Sequence, residues 1–317
     1  MLHFDDSRID EIVWSAIAGS QSGGDFVCYI VHALRGAKHM QEASERARTL
    51  ERHRVPPQCY HQAIERIRDL AEEGDATAMF HMGKIHALGI AVKQNLAVAV
   101  SWYERAVAVG DVRAHANLGW LYQSGYGVPE DKEKAFELLS HGAGHGVHSA
   151  LAAVGMMQLT GEGCQADVVQ AIRTLELAFS RGYVNAGNHL ADIYFAGTYV
   201  QRDITRGHEW LSRCVEQGDA RTMAILGHYL VAGTHGETDV ERGMALLQCA
   251  MDRGFLQAYA WMGSLYKNGA GVPRDIEKAR HWYDAGISAG SKECSWALSR
   301  LLLESMPDTS DANQSLH

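Results

Sequence analysis

Proline is scarce in this chain, at 5 residues against 32 glycines. That ratio excludes a proline-rich linker protein and favours helices joined by tight glycine turns. Cysteine offers no motif. Cys28, Cys59, Cys164, Cys214, Cys249 and Cys294 are scattered without a CxxC pair, which excludes a zinc knuckle and a thioredoxin-like site. Reduced thiols in a cytoplasmic protein are the expectation. Basic clusters are lacking too: 29 Lys and Arg stand against 38 Asp and Glu, a net charge of −9. Nucleic-acid binding through phosphate neutralisation is disfavoured. Long apolar runs are missing. The longest early one, Phe26 to Val31, falls far short of the roughly 20 residues that span a bilayer. Asp5 and Asp6 stand where a secretory leader carries Lys or Arg, so a cytoplasmic location without membrane contact is expected.

What the chain does have is apolar material for a core, 46% of its residues, and a period. Gly74, Gly110, Gly146, Gly182, Gly218, Gly254 and Gly290 are spaced by 36 residues without insertion or deletion. Four residues after each comes a small side chain: Ala78, Ala114, Ala150, Ala186, Thr222, Ala258 and Cys294. Nine after come Gly83, Gly119, Gly155, Ala191, Gly227 and Gly263. Fifteen after come Gly89, Gly125, Gly161, Gly197, Gly233 and Gly269. Twenty-one after come Asn95, Asp131, Asp167, Asp203, Asp239 and Asp275.

Each phase has a physical reading. The glycine at fifteen supplies the left-handed conformation that ends a helix. The Asp or Asn at twenty-one accepts from free N–H groups at the start of the next helix. The anchor glycine ends that second helix. The unit is therefore helix A, a loop, helix B and a turn. Leu118, Leu121 and Tyr122 fill one helix A; Trp102 and Tyr103 fill one helix B. One pair buries its apolar face only by stacking on the next, so the array is a solenoid. Residues 60–73 and 291–305 are expected as capping helices.

The segments GYGVPEDKEKA from Gly125 and GAGVPRDIEKARHWYDAG from Gly269 resemble the Sel-1-like repeat, a relative of the tetratricopeptide repeat. The resemblance covers about residues 74–290. It implies an all-α fold: a right-handed α–α superhelix of about six 36-residue helix–turn–helix repeats with helical caps, used as a protein-binding scaffold. Three repeats depart from the family pattern. The one after Gly218 has GTHGETD in place of GxGV. The one after Gly146 has Gln158 for Tyr and Cys164 for Val. The one after Gly74 has Ala91 and Asn95 for Gly and Asp.

Residues 1–59 are out of phase. Ile9, Ile12, Val13, Trp14 and Ile17 recur at helical spacing, and Pro56-Pro57 breaks the chain. A helical cap or partner-binding region is expected at 1–59, the solenoid at 60–305, and a disordered polar tail at 306–317.

Catalytic motifs are absent: there is no HExxH, GxSxG or GxxxxGK. Ser264 and Lys267 fit SxxK, but the SDN and KTG partners of penicillin-recognising enzymes are missing. So are the paired cysteines of the relatives described as β-lactam binders or hydrolases. His141, His145 and His148 cluster near a helix end. They read as a metal or pH-sensitive patch, or as solvated turn histidines favoured at a helix C-terminus. No catalytic residue, metal ligand or cofactor is assigned.

The positions that packing leaves free carry the functional expectation. Seven and ten residues after the anchors stand His81 and Lys84, Asn117 and Trp120, Met156, His189 and Asp192, His228, and Trp261; three after add Arg113 and Arg221. This row varies between repeats while the packing positions do not. It suits a partner-binding groove on the inner face, or aromatic fill of the gaps between repeats. The expected function is a non-enzymatic adaptor that holds a peptide, helix or folded domain. Net charge favours a basic partner. Bacterial relatives suggest signalling, secretion or inhibition of a toxin. A β-lactam-binding enzyme and a self-assembling structural protein are the alternatives.

Overall fold

The computed structural model describes residues 57–305 except Ala91 and Glu237, with side chains described from Ile64 to Glu304. The expected N-terminal cap up to residue 56 and the tail from Met306 lie outside them. Among the described residues there are fourteen helices and no strand, and the fold is an all-α helical-repeat solenoid. The helices are α1 (Pro57–Glu72), α2 (Ala76–Leu88), α3 (Leu96–Ala108), α4 (Val112–Ser124), α5 (Lys132–Gly144), α6 (His148–Thr160) and α7 (Val168–Ser180). Then come α8 (Asn185–Ala196), α9 (Ile204–Glu216), α10 (Ala220–Ala232), α11 (Val240–Asp252), α12 (Gln257–Asn268), α13 (Ile276–Ser288) and α14 (Lys292–Ser305). Even-numbered helices are helix A of each repeat and odd-numbered ones are helix B.

The period dictates where helices start and stop. All six glycines at phase fifteen sit in the left-handed region; Gly125, for example, has φ +67°. Asn95, Asp131, Asp167, Asp203, Asp239 and Asp275 each accept a backbone N–H three residues on, at 2.9–3.1 Å. A further set of caps, not foreseen from the period, sits one residue after the anchors. Asp75 accepts from Ala78 N at 2.6 Å, Asp111 from Arg113 N at 2.8 Å and Asp219 from Thr222 N at 2.7 Å. Each such cap is worth about 1 kcal/mol.

The chain divides into two compact units, up to Thr174 and from Leu175. In the first, helix A and helix B of one repeat close on small residues. A Cβ at Gly119 would lie 2.7 Å from Leu139 Cγ, which is why that phase stays small. Ala114 and Ala150 are fully buried, and Tyr103, Leu118, Leu139 and Met157 fill the same core.

The second unit follows the same logic. A Cβ at Gly227 would lie 2.7 Å from the Gly243 carbonyl oxygen. Met223, Leu247, Met251 and Met262 fill its core, and Tyr283, Cys294 and Leu301 join α13 to α14. The loop after α10 breaks the pattern. Where three repeats carry Gly127, Gly163 and Gly271 and two carry Ala91 and Tyr199, this one carries His235. The His235 ring lies face to face on Phe195, centroids 3.9 Å apart.

Candidate functional site

In the first unit the row runs along α2, α4 and α6. His81, Lys84 and Arg113 converge on one buried ring, Phe80. His81 meets it edge to face at 5.4 Å, and the Lys84 ammonium is 5.8 Å and the Arg113 guanidinium 4.5 Å from its centroid. Cations over an aromatic face are held by its quadrupole. Arg113 also donates to Asp111 at 2.6 Å and to Thr77 Oγ1 at 3.0 Å, which ties α4 to α2. Asn117 donates to the buried Tyr103 hydroxyl at 3.2 Å. Met156 is half-buried on α6. Trp120 differs from all of these. It is 39% exposed and has no ring or hydrogen-bond partner among the described residues.

The second unit brings His189, Asp192 and Arg221 into one electrostatic neighbourhood. Burial pushes the His189 imidazole below its ordinary value, with Asp192 opposing and Arg221 adding to that shift. Burial pushes the Asp192 carboxyl up, against the pull of His189, Arg221 and His235. Asp192 is an exposed residue, yet its carboxyl is partly desolvated and makes no ion pair or hydrogen bond among the described residues. His228 and Trp261 pair at 5.8 Å, and Trp261 packs on Phe255 at 5.8 Å. Trp261 thus joins the α10–α12 core while one edge stays open. Burial also lowers the His228 pKa.

Sequence reasoning missed a ring cluster beside this row. His235 meets Tyr229 at 4.6 Å and lies 6.3 Å from His208. An open cleft of about 880 Å³ lies against it, bordered by His208, Arg213, Leu230, His235 and Arg242. The signal was present in GTHGETD, where a ring replaces a glycine.

The histidine cluster near the end of α5 takes a different membership. His141 stacks on His115 at 3.9 Å and on His145 at 4.5 Å, and His148 is not part of the stack. His115 comes from α4, one repeat position that periodicity does not flag. Among the described residues no group of three or more His, Cys, Asp or Glu is placed to hold a metal ion. Ser264 and Lys267 border a cleft of about 690 Å³ between α12 and α14. Lys267 is ion-paired to Glu304 at 2.8 Å, and Ser264 Oγ accepts from Asn268 at 3.2 Å. A lysine held as a cation by a carboxylate does not deprotonate a serine. No helix among the described residues is long and apolar enough to cross a membrane.

A comparison with curated proteins returns no match. Among solved structures, a Sel1 repeat protein from Oxalobacter formigenes is similar at 26% identity and a TM-score of 0.60, over 78% of this chain and 99% of that one. A protective antigen of uropathogenic Escherichia coli with the same repeat fold aligns at 23% identity and a TM-score of 0.43, over 87% of this chain and 68% of that one. An immunity protein from Pseudomonas aeruginosa aligns at 21% identity and a TM-score of 0.48, over 69% and 83%. The Sel1 repeat model matches residues 76–111, 112–146, 148–183, 186–219 and 256–291. The pair α10–α11, with its His235 loop, lies outside those segments yet keeps the helix–turn–helix form. With more than half of its residues matched, the chain belongs to the Sel1 repeat family.

Proposed function

We propose that this chain is a non-enzymatic scaffold that grips a partner protein along the helix-A row, with Trp120 as the apolar anchor of the first unit and Asp192 as the polar one of the second. Sel1 repeats typically mediate protein–protein interaction, and that general role is the background of the reading. One observation carries the specific form. Residues four and nine after the anchors are buried in every helix A from α2 to α12, whereas Trp120 keeps 39% of its surface accessible and has no ring or hydrogen-bond partner among the described residues. Exposed, rigid aromatics on a pre-ordered surface are what binding hot spots are made of. His81, Lys84, Arg113, Asn117 and Met156 flank the first anchor; His189, Arg221, His228 and Trp261 flank the second. An unpaired Asp192 suits a partner that brings a cation. The four described cysteines are unbridged, which suits a reducing compartment such as the cytoplasm.

Affinity capture with the full chain, beside Trp120→Ala and Asp192→Asn variants of unchanged helical signal, tests this. A protein retained by wild type and lost from either variant is the expected result. Equal retention by all three chains removes the row from the binding surface.

A further inference from the structure

Helix α14 is a helix A that packs on the helix B before it, α13, and among the described residues no helix B follows it. Its outer side is unusually apolar for a surface: Trp296 is 64% exposed and Leu303 67%. In the earlier repeat, Tyr122, at the same phase as Leu302, is 7% exposed beneath Lys134 of α5. Leu302 is 45% exposed. A further helix B of the usual kind is disfavoured by Ser299. It stands at the phase of Gly119 and Gly263, where added side-chain atoms run into Leu139 and Tyr283 of the following helix.

We propose that this face is a homodimer surface: two copies of the chain pair through antiparallel α14 helices about a two-fold axis. The pattern that carries it is a seam. Lys292, Trp296, Ser299 and Leu303 recur at spacings of four, three and four, so they form one stripe of a helix-pair interface, and all four are exposed. Antiparallel pairing sets each large Trp296 over the small Ser299 of the second copy and each Leu303 on the Lys292 methylene stem. The charges select the direction. Glu293 and Arg300 lie seven residues apart on one flank of the seam. An antiparallel pair brings Glu293 of each copy opposite Arg300 of the other, twice by symmetry. In a parallel pair those flanks meet Ser295 and Leu302 instead. Glu293 has no ion-pair partner within its own chain among the described residues; its one polar contact is the Ser291 hydroxyl at 3.2 Å. Arg300 keeps its own Trp296 ring at 4.9 Å and Glu304 at 3.6 Å, which pre-orients it at the rim.

A single pair of fourteen-residue helices is smaller than a standard interface, so the dimer is weak and concentration-dependent. Sedimentation equilibrium of the full chain over a wide concentration range reads it. Wild type is expected to pass from monomer to dimer. Trp296→Ala should weaken association about tenfold or more, since it removes the central knob twice. Arg300→Glu should weaken it about fivefold, and adding Glu293→Arg to it should return the constant to within about twofold of wild type. Because these side chains are exposed, circular dichroism should stay unchanged. A chain that is monomeric at every concentration overturns the proposal. So does a dimer indifferent to Trp296→Ala, or a charge reversal that its partner reversal does not rescue.

Discussion

The row on α2, α4 and α6 and the row on α8, α10 and α12 occupy the same repeat phases, yet their side chains are held in opposite ways. In the first unit two polar members are satisfied inside the scaffold: Arg113 by Asp111 and Thr77, Asn117 by Tyr103. The aromatic, Trp120, is left over. In the second unit the aromatic is absorbed, with Trp261 against Phe255 and His228, and the carboxylate of Asp192 is left over. The contrast teaches that phase in a repeat fixes which face a residue shares, while its neighbours decide whether it is free to bind.

The largest expected effect concerns what both units share. Gly163 in the first unit and Gly271 in the second close their loops at φ +70° and +71°, and an added Cβ would overlap a carbonyl oxygen, that of Lys132 or of Val231. Gly163→Ala or Gly271→Ala should cost about 3 kcal/mol or more in urea unfolding, because the clash with backbone adds to the left-handed strain. Gly236→Ala, at φ +83° with open space around it, should cost only about 1–2 kcal/mol. If Gly271→Ala is no worse than Gly236→Ala, the tight loop closure is wrong.

The two tryptophans test the contrast directly. Trp261→Ala should remove about 2 kcal/mol of stability, less than a fully buried tryptophan because one edge is open. Trp120→Ala should cost about 1 kcal/mol, less than Trp261→Ala because more of its ring is open, while weakening partner binding about tenfold. Thermal melting of both variants decides it; a larger loss from Trp120→Ala would invert the comparison. Arg113→Ala lies next in size. Its charge-assisted bonds to Thr77 and Asp111 are part-exposed, with 31% of the arginine side chain accessible. About 1 kcal/mol is expected after screening. Arg113→Lys should recover little, since an ammonium does not reproduce the fork that reaches both oxygens while lying over Phe80.

Much of this architecture is legible in the sequence because strict spacing amplifies weak local signals. Gly125 alone is one glycine; six at the same phase are a helix end. The capping role of Asp131, the burial of Ala114 and the two terminal helices all follow from that register. The same averaging hides what is particular to one repeat. Asp111 and Asp219 cap helix A, but Val147, Tyr183 and Phe255 stand at the equivalent phase, so the period does not display the cap. His115 joins the imidazole stack through a contact between adjacent helices that sequence neighbours do not reveal. The candidate row was legible as a set of phases. Which of its members are free depends on pairs such as Arg113 with Thr77, 36 residues apart, whose chemistry matches only in three dimensions. His235 was visible only as a departure, and its stacking on Phe195 depends on neighbours in space: Tyr199, a ring at the same phase, is left 44% exposed.

Protonation gives the smallest effect and the finest test of the two-row contrast. Burial lowers the pKa values of His189, His228 and His235 from the ordinary 6.5. In each the folded state favours the neutral ring. The stability they lend is therefore present above about pH 6.5 and is lost as pH falls below it through the lowered folded values. Asp192 works the other way. Its pKa is raised from 3.8, so the folded state disfavours its charge, and protonation as pH falls relieves a penalty. The second unit should thus weaken on mild acidification, and Asp192→Asn should make the weakening steeper by removing the opposing contribution. Imidazole proton shifts followed by NMR from pH 8 to pH 5 should place the midpoints of His189, His228 and His235 below 6.5. Midpoints at or above 6.5 would mean that Asp192 already serves these rings as a partner, which would withdraw it as the free anionic anchor and leave Trp120 to carry the binding surface.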